Sequence, residues 1–329
     1  MVKNKHIIEN WMFLAVALLC AVAISFSVRA QDNTDTGNGL RITPVRQELI
    51  LAPGQRDSYS IDLTNVSQGE MNVVSVINDF ESDNETGQPK LLLGPGESSP
   101  FSIKEFVILP ESFPLEPGET MTVSIEISMP SEVKPGGYFG AIRFAPGTET
   151  GADEGTVALT ASVASLLLIS VPGDVPEGMT LENIQPKRGD HSSTFFESPP
   201  DVLAVTLANT GNTILKPFGQ VVIKDIFGNE VHKYEFNDAQ VRSNVLPQSS
   251  RTFEDALENI GLLGRYTAEA NLSFGEGGGT ILQGQTTFWV IPWKILLAVI
   301  AVVAAIIWFA TKGLKTYNRR VVQRAKRNS

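Results

Sequence analysis

Cysteine and histidine are both scarce in this 329-residue sequence. The only cysteine, Cys20, lies in an N-terminal apolar stretch, so removal of that stretch leaves a chain without disulfides. The histidines are His6, His191 and His232, and no Gly-x-Ser-x-Gly elbow or zinc-binding spacing accompanies them. An enzyme would need a pocket that brings His191 or His232 beside a carboxylate and a hydroxyl. The sequence therefore predicts a non-catalytic protein.

Basic side chains are few in the central part of the chain. Residues 31–293 carry 15 basic and 35 acidic side chains, a formal charge of −20. Such a surface repels nucleic acid and anionic lipid, and it favours solubility outside a cell. We expect no nucleic-acid partner.

The N-terminus has the pattern of a secretory signal peptide over residues 1–30. A basic start precedes the apolar stretch Trp11–Phe26, and the small-x-small sequence Val28-Arg29-Ala30 follows it. Two alternatives are an uncleaved anchor helix and lipid attachment at the cysteine. The apolar stretch is short for a full membrane span.

The C-terminus predicts one membrane span and a cytoplasmic tail. Ile291–Ala310 is apolar and long enough to cross a bilayer, so we place a transmembrane helix at residues 291–311. The tail, residues 312–329, has seven basic residues and no acid, which favours the cytoplasmic side. A nucleic-acid-binding arm is the competing interpretation of the tail. The predicted protein is a single-pass cell-membrane protein with its body outside.

The sequence between the two apolar ends, residues 40–290, predicts short β-strands. After a polar leader (31–39), apolar residues alternate with polar ones between Pro, Gly and Asn turns, as in "ETMTVSIEISM". Outside the two apolar ends only "FEDALENIGLLG" suggests a helical turn or two. The proline- and glycine-rich residues 173–178 separate residues 40–172 from residues 179–290.

The two halves repeat the same signals in the same order. Each has a strand ending in Asn ("IDLTNVSQG", "VTLANTGNT"), a proline-led strand ("LEPGETMTV", "VLPQSSRTF") and a Gly-x-Tyr strand ("GGYFGAIRF", "GRYTAEANL"). This order predicts an all-β fold of two tandem immunoglobulin-like β-sandwich domains, plus the signal peptide and the C-terminal transmembrane helix.

The stretch "KPGGYFGAIRF" contains candidate structural and binding residues. Gly136 and Gly137 form a turn, and Tyr138, like Tyr266 in the second half, lies where a tyrosine braces a sandwich corner. Phe139 and Arg143 are on the opposite face of the strand from Tyr138, where a partner could reach them. A phosphate-binding loop is disfavoured because no helix pattern follows.

An acidic stretch, "NDFESDNETG", is the one candidate metal site. Asp79, Glu81, Asp83 and Glu85 alternate along it, and carboxylates at this spacing can hold Ca²⁺. The glycine is not where an EF-hand requires it. The alternative is a solvated loop tip, and loop ends of a sandwich often carry binding surfaces. No other cofactor is indicated.

The turn and strand signals resemble a known family. The order "ELILAPGQRDSYSIDLTNVS", an Asp/Asn/Gly-rich loop, then "VILPESFPLEPGETMTVSIEISMPSEVKPGGYFGAIRF" is similar to the N-terminal peptidoglycan-binding domain of the WxL-interacting protein family. "VLPQSSRTF", "GRYTAEANLSF" and "FWVIPWK" resemble its second domain and membrane junction. No ligand-contacting residue of the family can be matched here.

Together, these sequence features predict an extracytoplasmic, non-catalytic binding or scaffolding protein. The resemblance implies peptidoglycan or another surface protein as the partner, engaged by loops or free strand edges. The alternative is a chaperone-like or structural subunit of a surface assembly or secretion complex. The sequence leaves the ligand and the oligomeric state open.

Overall fold

The computed structural model describes residues 39–94, 96–147, 162–275 and 278–327, with side chains up to residue 312. The predicted signal peptide, its cysteine and nearly all of the polar leader lie outside the described residues.

The first sandwich packs two antiparallel-rich sheets face to face. One contains β1, β3, β9 and β7 in that order, and the other contains β2, β11, β10, β4 and β8, while β5 and β6 form a separate hairpin. The strands are β1 (Leu40–Thr43), β2 (Arg46–Ile50), β3 (Arg56–Asn65), β4 (Met71–Asn78), β5 (Phe80–Ser82), β6 (Pro89–Leu91), β7 (Val107–Ile108), β8 (Ser112–Leu115), β9 (Thr120–Ser128), β10 (Gly136–Pro146) and β11 (Val163–Val171).

The second sandwich has a closely similar arrangement. One sheet has the order β13, β12, β15, β18, and the other has the order β14, β20, β19, β16, β17. The strands are β12 (Met179–Arg188), β13 (His191–Ser192), β14 (Phe195–Phe196), β15 (Val202–Asn209), β16 (Phe218–Lys224), β17 (Glu230–Phe236), β18 (Ser249–Ala256), β19 (Gly264–Phe274) and β20 (Thr280–Val290).

The same pairings recur in both sandwiches. Each five-stranded sheet ends in a short strand that runs parallel to its neighbour, β2 along β11 and β14 along β20. Each four-stranded sheet pairs the strand that ends in Asn with the proline-led strand, β3 with β9 and β15 with β18. The predicted all-β fold of two sandwiches is confirmed.

A buried asparagine ends β3 and closes the turn after it. Asn65 Nδ2 donates to the carbonyls of Gly69 at 2.8 Å and Leu115 at 3.0 Å, and Oδ1 accepts from the Ser67 amide at 2.9 Å. A buried amide that makes all these bonds avoids the desolvation cost that an unpaired one would incur.

The second sandwich has the same device at the end of β15. Asn209 Nδ2 donates to the carbonyls of Thr213 at 2.7 Å and Val245 at 3.0 Å, and Oδ1 accepts from the Gly211 amide at 3.0 Å. The bond pattern matches that of Asn65, so the sequence echo corresponds to a structural repeat.

Strand β10 is buried on both faces over most of its length. Tyr138, Ile142 and Phe144 pack into the core of the first sandwich, as their alternation predicts. Phe139 and Ala141, on the other face, are also buried, but among residues contributed by both sandwiches. The second sandwich covers the face that the sequence suggests is open.

The helical turn suggested in "FEDALENIGLLG" does not form. Its first residues belong to β18, which pairs along its whole length with β15, and the following residues are loop. The hydrogen bonds between β18 and β15 satisfy the backbone groups on the side of β18 that faces β15. This pairing outweighs the weak local helix preference of the sequence.

The C-terminal helix, α1, runs from Trp293 to Arg327. Residues Trp293–Lys312 are apolar and long enough to cross a membrane, and no other helix in the described ranges is. Only Ile291 and Pro292 separate α1 from the end of β20.

We expect Asn65→Ala and Asn209→Ala each to lower the free energy of unfolding by about 1–3 kcal/mol, because each leaves buried backbone groups unpaired. Urea unfolding of the full chain in micelles, followed by circular dichroism, measures this. Asn271→Ala, on an exposed position of β19, is the matched control and should have little effect. Equal stability of all three variants would contradict the prediction.

Candidate functional site: the cleft between the sandwiches

An apolar cluster joins the outer face of β10 and β11 to the second sandwich. Its buried members are Phe80, Phe139, Ala141, Leu168 and Leu246. The Phe139 ring lies 4.9 Å from that of Phe80 between centroids, and Phe101 stacks on it at 5.5 Å. Burial of these side chains favours one arrangement of the two sandwiches.

The glycine pair that begins β10 lies at this junction. The Gly137 amide donates to the Asn212 carbonyl of the second sandwich at 2.7 Å. A Cβ on Gly137 would lie 2.7 Å from Ile214 Cγ1, 3.1 Å from the Ile214 amide nitrogen and 3.2 Å from Pro247 Cγ. Gly136 has a φ of +147° and faces the same Asn212 carbonyl. The glycines let two backbones approach closely.

The acidic stretch also contacts the second sandwich. It contains β5 and the turn that leads to β6, and this turn covers the outer edge of β18. The Thr252 amide donates to the Glu85 carbonyl at 2.6 Å, and the Ser250 amide donates to Asn84 Oδ1 at 3.2 Å. Gly87 lies directly against the Arg251 side chain. The hairpin thus caps a sheet edge that would otherwise be open.

The four candidate metal ligands do not converge. Asp79 is fully buried and accepts from Lys104 Nζ at 2.8 Å and from the Ser99 amide at 3.2 Å. Burial acts to raise the Asp79 pKa, but the bonds from Lys104 and its neighbours lower it overall. Glu81 pairs with Lys90 at 3.0 Å. Asp79 is therefore an internal anchor of the loop.

Asp83 shapes the hairpin turn. It accepts hydrogen bonds from Thr86 Oγ1 at 2.5 Å, from the Gly87 amide at 2.8 Å and from the Glu85 amide at 3.0 Å. The hydroxyl of Thr86 and these amides lower the pKa of Asp83. Within the described residues, no group of three or more His, Cys, Asp or Glu side chains is arranged to hold a metal ion.

The two predicted tyrosines lie at equivalent places. The Tyr138 hydroxyl donates to the Lys134 carbonyl at 3.0 Å, which closes the corner before β10. Burial raises the pKa of Tyr138. Tyr266 is buried, stacks on Phe288 with centroids 5.5 Å apart, and packs against the turn that precedes β19.

The two candidate partner-binding residues both have partners within the chain. Phe139 is only 3% exposed, although with Phe80 and Phe101 it lines a crevice of about 240 Å³ between the sandwiches. Arg143 is half-buried, and its Nε donates to Asn78 Oδ1 at 2.9 Å. The second sandwich therefore covers Phe139, whereas Arg143 bonds to the neighbouring strand β4.

The two histidines lie apart on different sheets. His191 is exposed on β13. His232 on β17 lies beside Tyr234, with ring centroids 5.7 Å apart. Burial, followed by the nearby Asp255 carboxylate, raises the pKa of Tyr234, and burial raises the pKa of Asp255. The Tyr234 hydroxyl therefore stays protonated at neutral pH.

On the other side of the junction the sandwiches leave an open cleft of about 530 Å³. Its walls combine apolar side chains with charges of both signs. One wall comes from β2 and β11, and the other comes from the second sandwich. The lining residues are Glu48, Leu49, Ile50, Leu168, Ser170, Glu177, Ile214, Leu215, Lys216, Phe218, Arg242, Gly275 and Gly278.

An ion network joins the two walls of this cleft. Glu48 of β2 pairs with Arg46 on its own strand and with Lys216 of the second sandwich. Burial acts to raise the Glu48 pKa, but the two cations together lower it below its ordinary 4.5. Arg242 stacks over the Phe218 ring at 4.4 Å. The network ties the two sandwiches together at the cleft.

The cleft is bordered by the open edge of β2, the last strand of its sheet. The Val45 carbonyl accepts from the Leu166 amide, and the Leu51 amide donates to the Ser170 carbonyl. Odd-numbered positions of β2 therefore bond to β11, and the N–H and C=O groups of Arg46, Glu48 and Ile50 point to the open side. The Ile50 side chain is 77% exposed.

Neither β2 nor Lys216 is predicted as a functional candidate from sequence patterns. The available signal is a five-residue strand between two prolines with charged residues at alternate positions, which is typical of an edge strand. Lys216 carries no local signal, because its role depends on the docking of the second sandwich.

Comparisons with known proteins give structural similarity only. No family model matches the sequence, and no curated protein matches it. Among solved structures, the class 5 fimbriae chaperone CfaA is 11% identical and aligns over 77% of this chain and 100% of its own, with a TM-score of 0.38. The E. coli chaperone DraB is 14% identical over 76% of this chain and 96% of its own, with a TM-score of 0.33.

A third structure is the CsuC–CsuE chaperone–tip subunit pre-assembly complex of Acinetobacter baumannii. It is 10% identical over 65% of this chain and 89% of that chain, with a TM-score of 0.33. Alignments this loose give no residue of this chain a role.

We expect Gly137→Ala to loosen the junction, because the new methyl meets a backbone nitrogen that cannot move independently of the second sandwich. Small-angle scattering of the full chain in micelles and the rate of proteolysis at residues 173–178 measure this. Gly69→Ala, where a Cβ meets nothing within 4 Å, is the matched control. Identical proteolysis of the two variants would show that the junction tolerates the methyl.

The ionised Glu48 should stabilise the docked arrangement at neutral pH. Because its pKa is lower in the folded protein, this contribution is present above about 4.5 and is lost as pH falls through the lowered value. Thermal unfolding of the wild type and Glu48→Gln between pH 3 and 7 tests this. The wild type should be the more stable at pH 7, and the difference should shrink below pH 4.5. A difference that is constant across this range would rule out the ion network as its source.

Proposed function

We propose that this chain is a membrane-anchored, non-catalytic binding protein that holds an extended segment of another surface protein in the cleft. The observation that carries the proposal is the open edge of β2 at the cleft. An added strand would bond to the free backbone groups of Arg46, Glu48 and Ile50 and extend the five-stranded sheet. This is the assembly or scaffolding role rather than a catalytic one.

The cleft walls support an extended peptide as the ligand. Backbone bonds to β2 are independent of ligand sequence, whereas side chains of alternate ligand residues would face the cleft. There they would meet the exposed Ile50, the Phe218 ring and charges of both signs.

The anchor is part of the proposal. Trp293–Lys312 would span the cytoplasmic membrane, and the basic tail would remain inside. The acidic body would then lie outside, where a partner surface protein would be found. The signal peptide predicted at residues 1–30 would deliver it there.

Two related roles use the same surface. The resemblance to the WxL-interacting family suggests peptidoglycan as a ligand. A chaperone-like subunit of a surface assembly would hold a partner's strand only until it is passed on. Backbone pairing at β2 suits a polypeptide better than a glycan, so we favour a protein partner.

Site-specific photocross-linking in the native host tests this. A photoreactive residue at position 50 should yield one predominant cross-linked surface protein, and one at Ile108, exposed on the far sheet, should not. The decisive comparison is between Ile50→Pro and Ile50→Ser. Because position 50 is then substituted, the photoreactive residue is placed at position 170, which lines the same cleft. Proline removes an N–H that faces the open edge and should lower the yield at least about tenfold, whereas serine should retain most of it.

Binding of the purified full chain to cell-wall sacculi is measured in parallel. Sacculus binding that is unaffected by Ile50→Pro, together with no cross-link at positions 50 and 170, would overturn the strand-capture proposal and favour peptidoglycan.

A further inference from the structure

The end of the second sandwich from which α1 emerges carries an exposed apolar rim. We define the rim as the side chains of Phe195, Ile226, Phe227, Leu262, Leu263 and Trp289. Each is more than a third exposed, and Phe227 is 86% exposed. Large apolar side chains gathered at one place on a soluble surface indicate an interaction site.

The strand registers place all these residues at the same end. Gly264 pairs with Val290, so Leu262 and Leu263 lie just beyond the last rung of the β19–β20 ladder. Lys224 pairs with Thr267, and the β16–β17 turn extends about three residues further. The Ile226–Phe227 turn therefore reaches approximately the level of Gly264.

The same end is where α1 begins. Phe195 stacks on Trp289 with centroids 6.5 Å apart. The Ile291 amide donates to the Phe196 carbonyl at 2.8 Å, and Lys294 pairs with Glu197 at 2.8 Å. These contacts tie the first turn of the helix to the sandwich. No flexible linker separates the rim from the apolar helix.

We propose that the rim inserts into the interface of the lipid bilayer that α1 crosses. The proposal rests on the membrane anchor of the proposed function. If α1 spans the bilayer from Trp293, the rim lies within a few ångströms of the headgroups, where aromatic and aliphatic side chains are favoured. The second sandwich then rests on the membrane surface instead of swinging above it.

The Ile226–Phe227 turn is built to present its side chains outward. Asp225 Oδ1 accepts from the amides of Phe227 at 2.8 Å and Asn229 at 2.9 Å, and Asn229 Nδ2 donates to Asp225 Oδ2 at 2.9 Å. Gly228 has a φ of +84°, which favours glycine. The carboxylate beside the turn is thus engaged by the turn itself.

The nearest cation on β16 is also paired. Lys224 Nζ donates to Glu269 at 2.6 Å. With Asp225 and Lys224 engaged in this way, the rim would bind by apolar insertion and not by attraction to anionic lipid. The strongly acidic body would oppose such attraction.

Spin labels on the full chain test the proposal. In a Cys20→Ser background reconstituted into phosphatidylcholine vesicles, single cysteines are placed at Phe227, Leu262, Val241 and Ala304. Val241 is the matched control, because it is 66% exposed and lies in the loop at the opposite end of the same sandwich. Ala304 reports the middle of the apolar segment Trp293–Lys312. The accessibility of each label to oxygen and to a water-soluble nickel chelate gives its depth.

We expect the label at 304 to lie deep, the labels at 227 and 262 to lie about 5–10 Å into the headgroup–acyl boundary, and the label at 241 to be aqueous. Phe227→Asp with Leu263→Asp should shift the label at 262 toward water. Aqueous labels at 227 and 262 with a deep label at 304 would overturn the rim proposal alone, as would labels shielded from both reagents by protein. An aqueous label at 304 would overturn the anchor, and the rim proposal with it.

Discussion

The burial of β10 on both faces is the constraint on which the rest of the structure depends. One face of the strand fills the core of the first sandwich, and the other receives the second sandwich around Phe139. Gly137 allows the close approach, and the β5–β6 hairpin secures the neighbouring edge of β18. This docking brings Lys216 to Glu48 and thereby creates the cleft. Without the docking, β2 would be an ordinary open edge with no opposing wall.

The two sides of the junction between the sandwiches differ in structure. One side is aromatic and bonded to the hairpin through backbone groups, so it holds the sandwiches together. The other is open, charged and bordered by unpaired backbone groups, so it is suited to a ligand. At the end of the second sandwich away from the junction, α1 would anchor the protein in the membrane and the rim would contact the membrane surface. The cleft side also helps to hold the sandwiches, because Glu48 pairs with Lys216 across it.

Local patterns in the sequence were sufficient for the fold and insufficient for the site. Period-two alternation predicts strands such as β9, and the two Asn-ended strands and Gly-x-Tyr strands reveal the repeat, because these signals depend on neighbouring residues. These local patterns do not predict the role of "NDFESDNETG". Its alternating carboxylates suggest a metal loop, yet Asp79 bonds to Lys104 and the Glu85 carbonyl meets β18. Phe139 is likewise predicted to be open, because the residues that cover it come from the second sandwich. Docking of two domains joins residues more than 100 positions apart, and no short pattern encodes it.

The direct connection between β20 and α1 has a geometric consequence. The rim lies at the Gly264 end of β19, and the cleft includes Gly275 just beyond the other end. Eleven residues of extended strand span about 35 Å. A sandwich seated on the bilayer would therefore hold the cleft at a set height above the lipid. The protein would serve as a spacer as well as a receptor, engaging only segments that pass at that distance from the membrane.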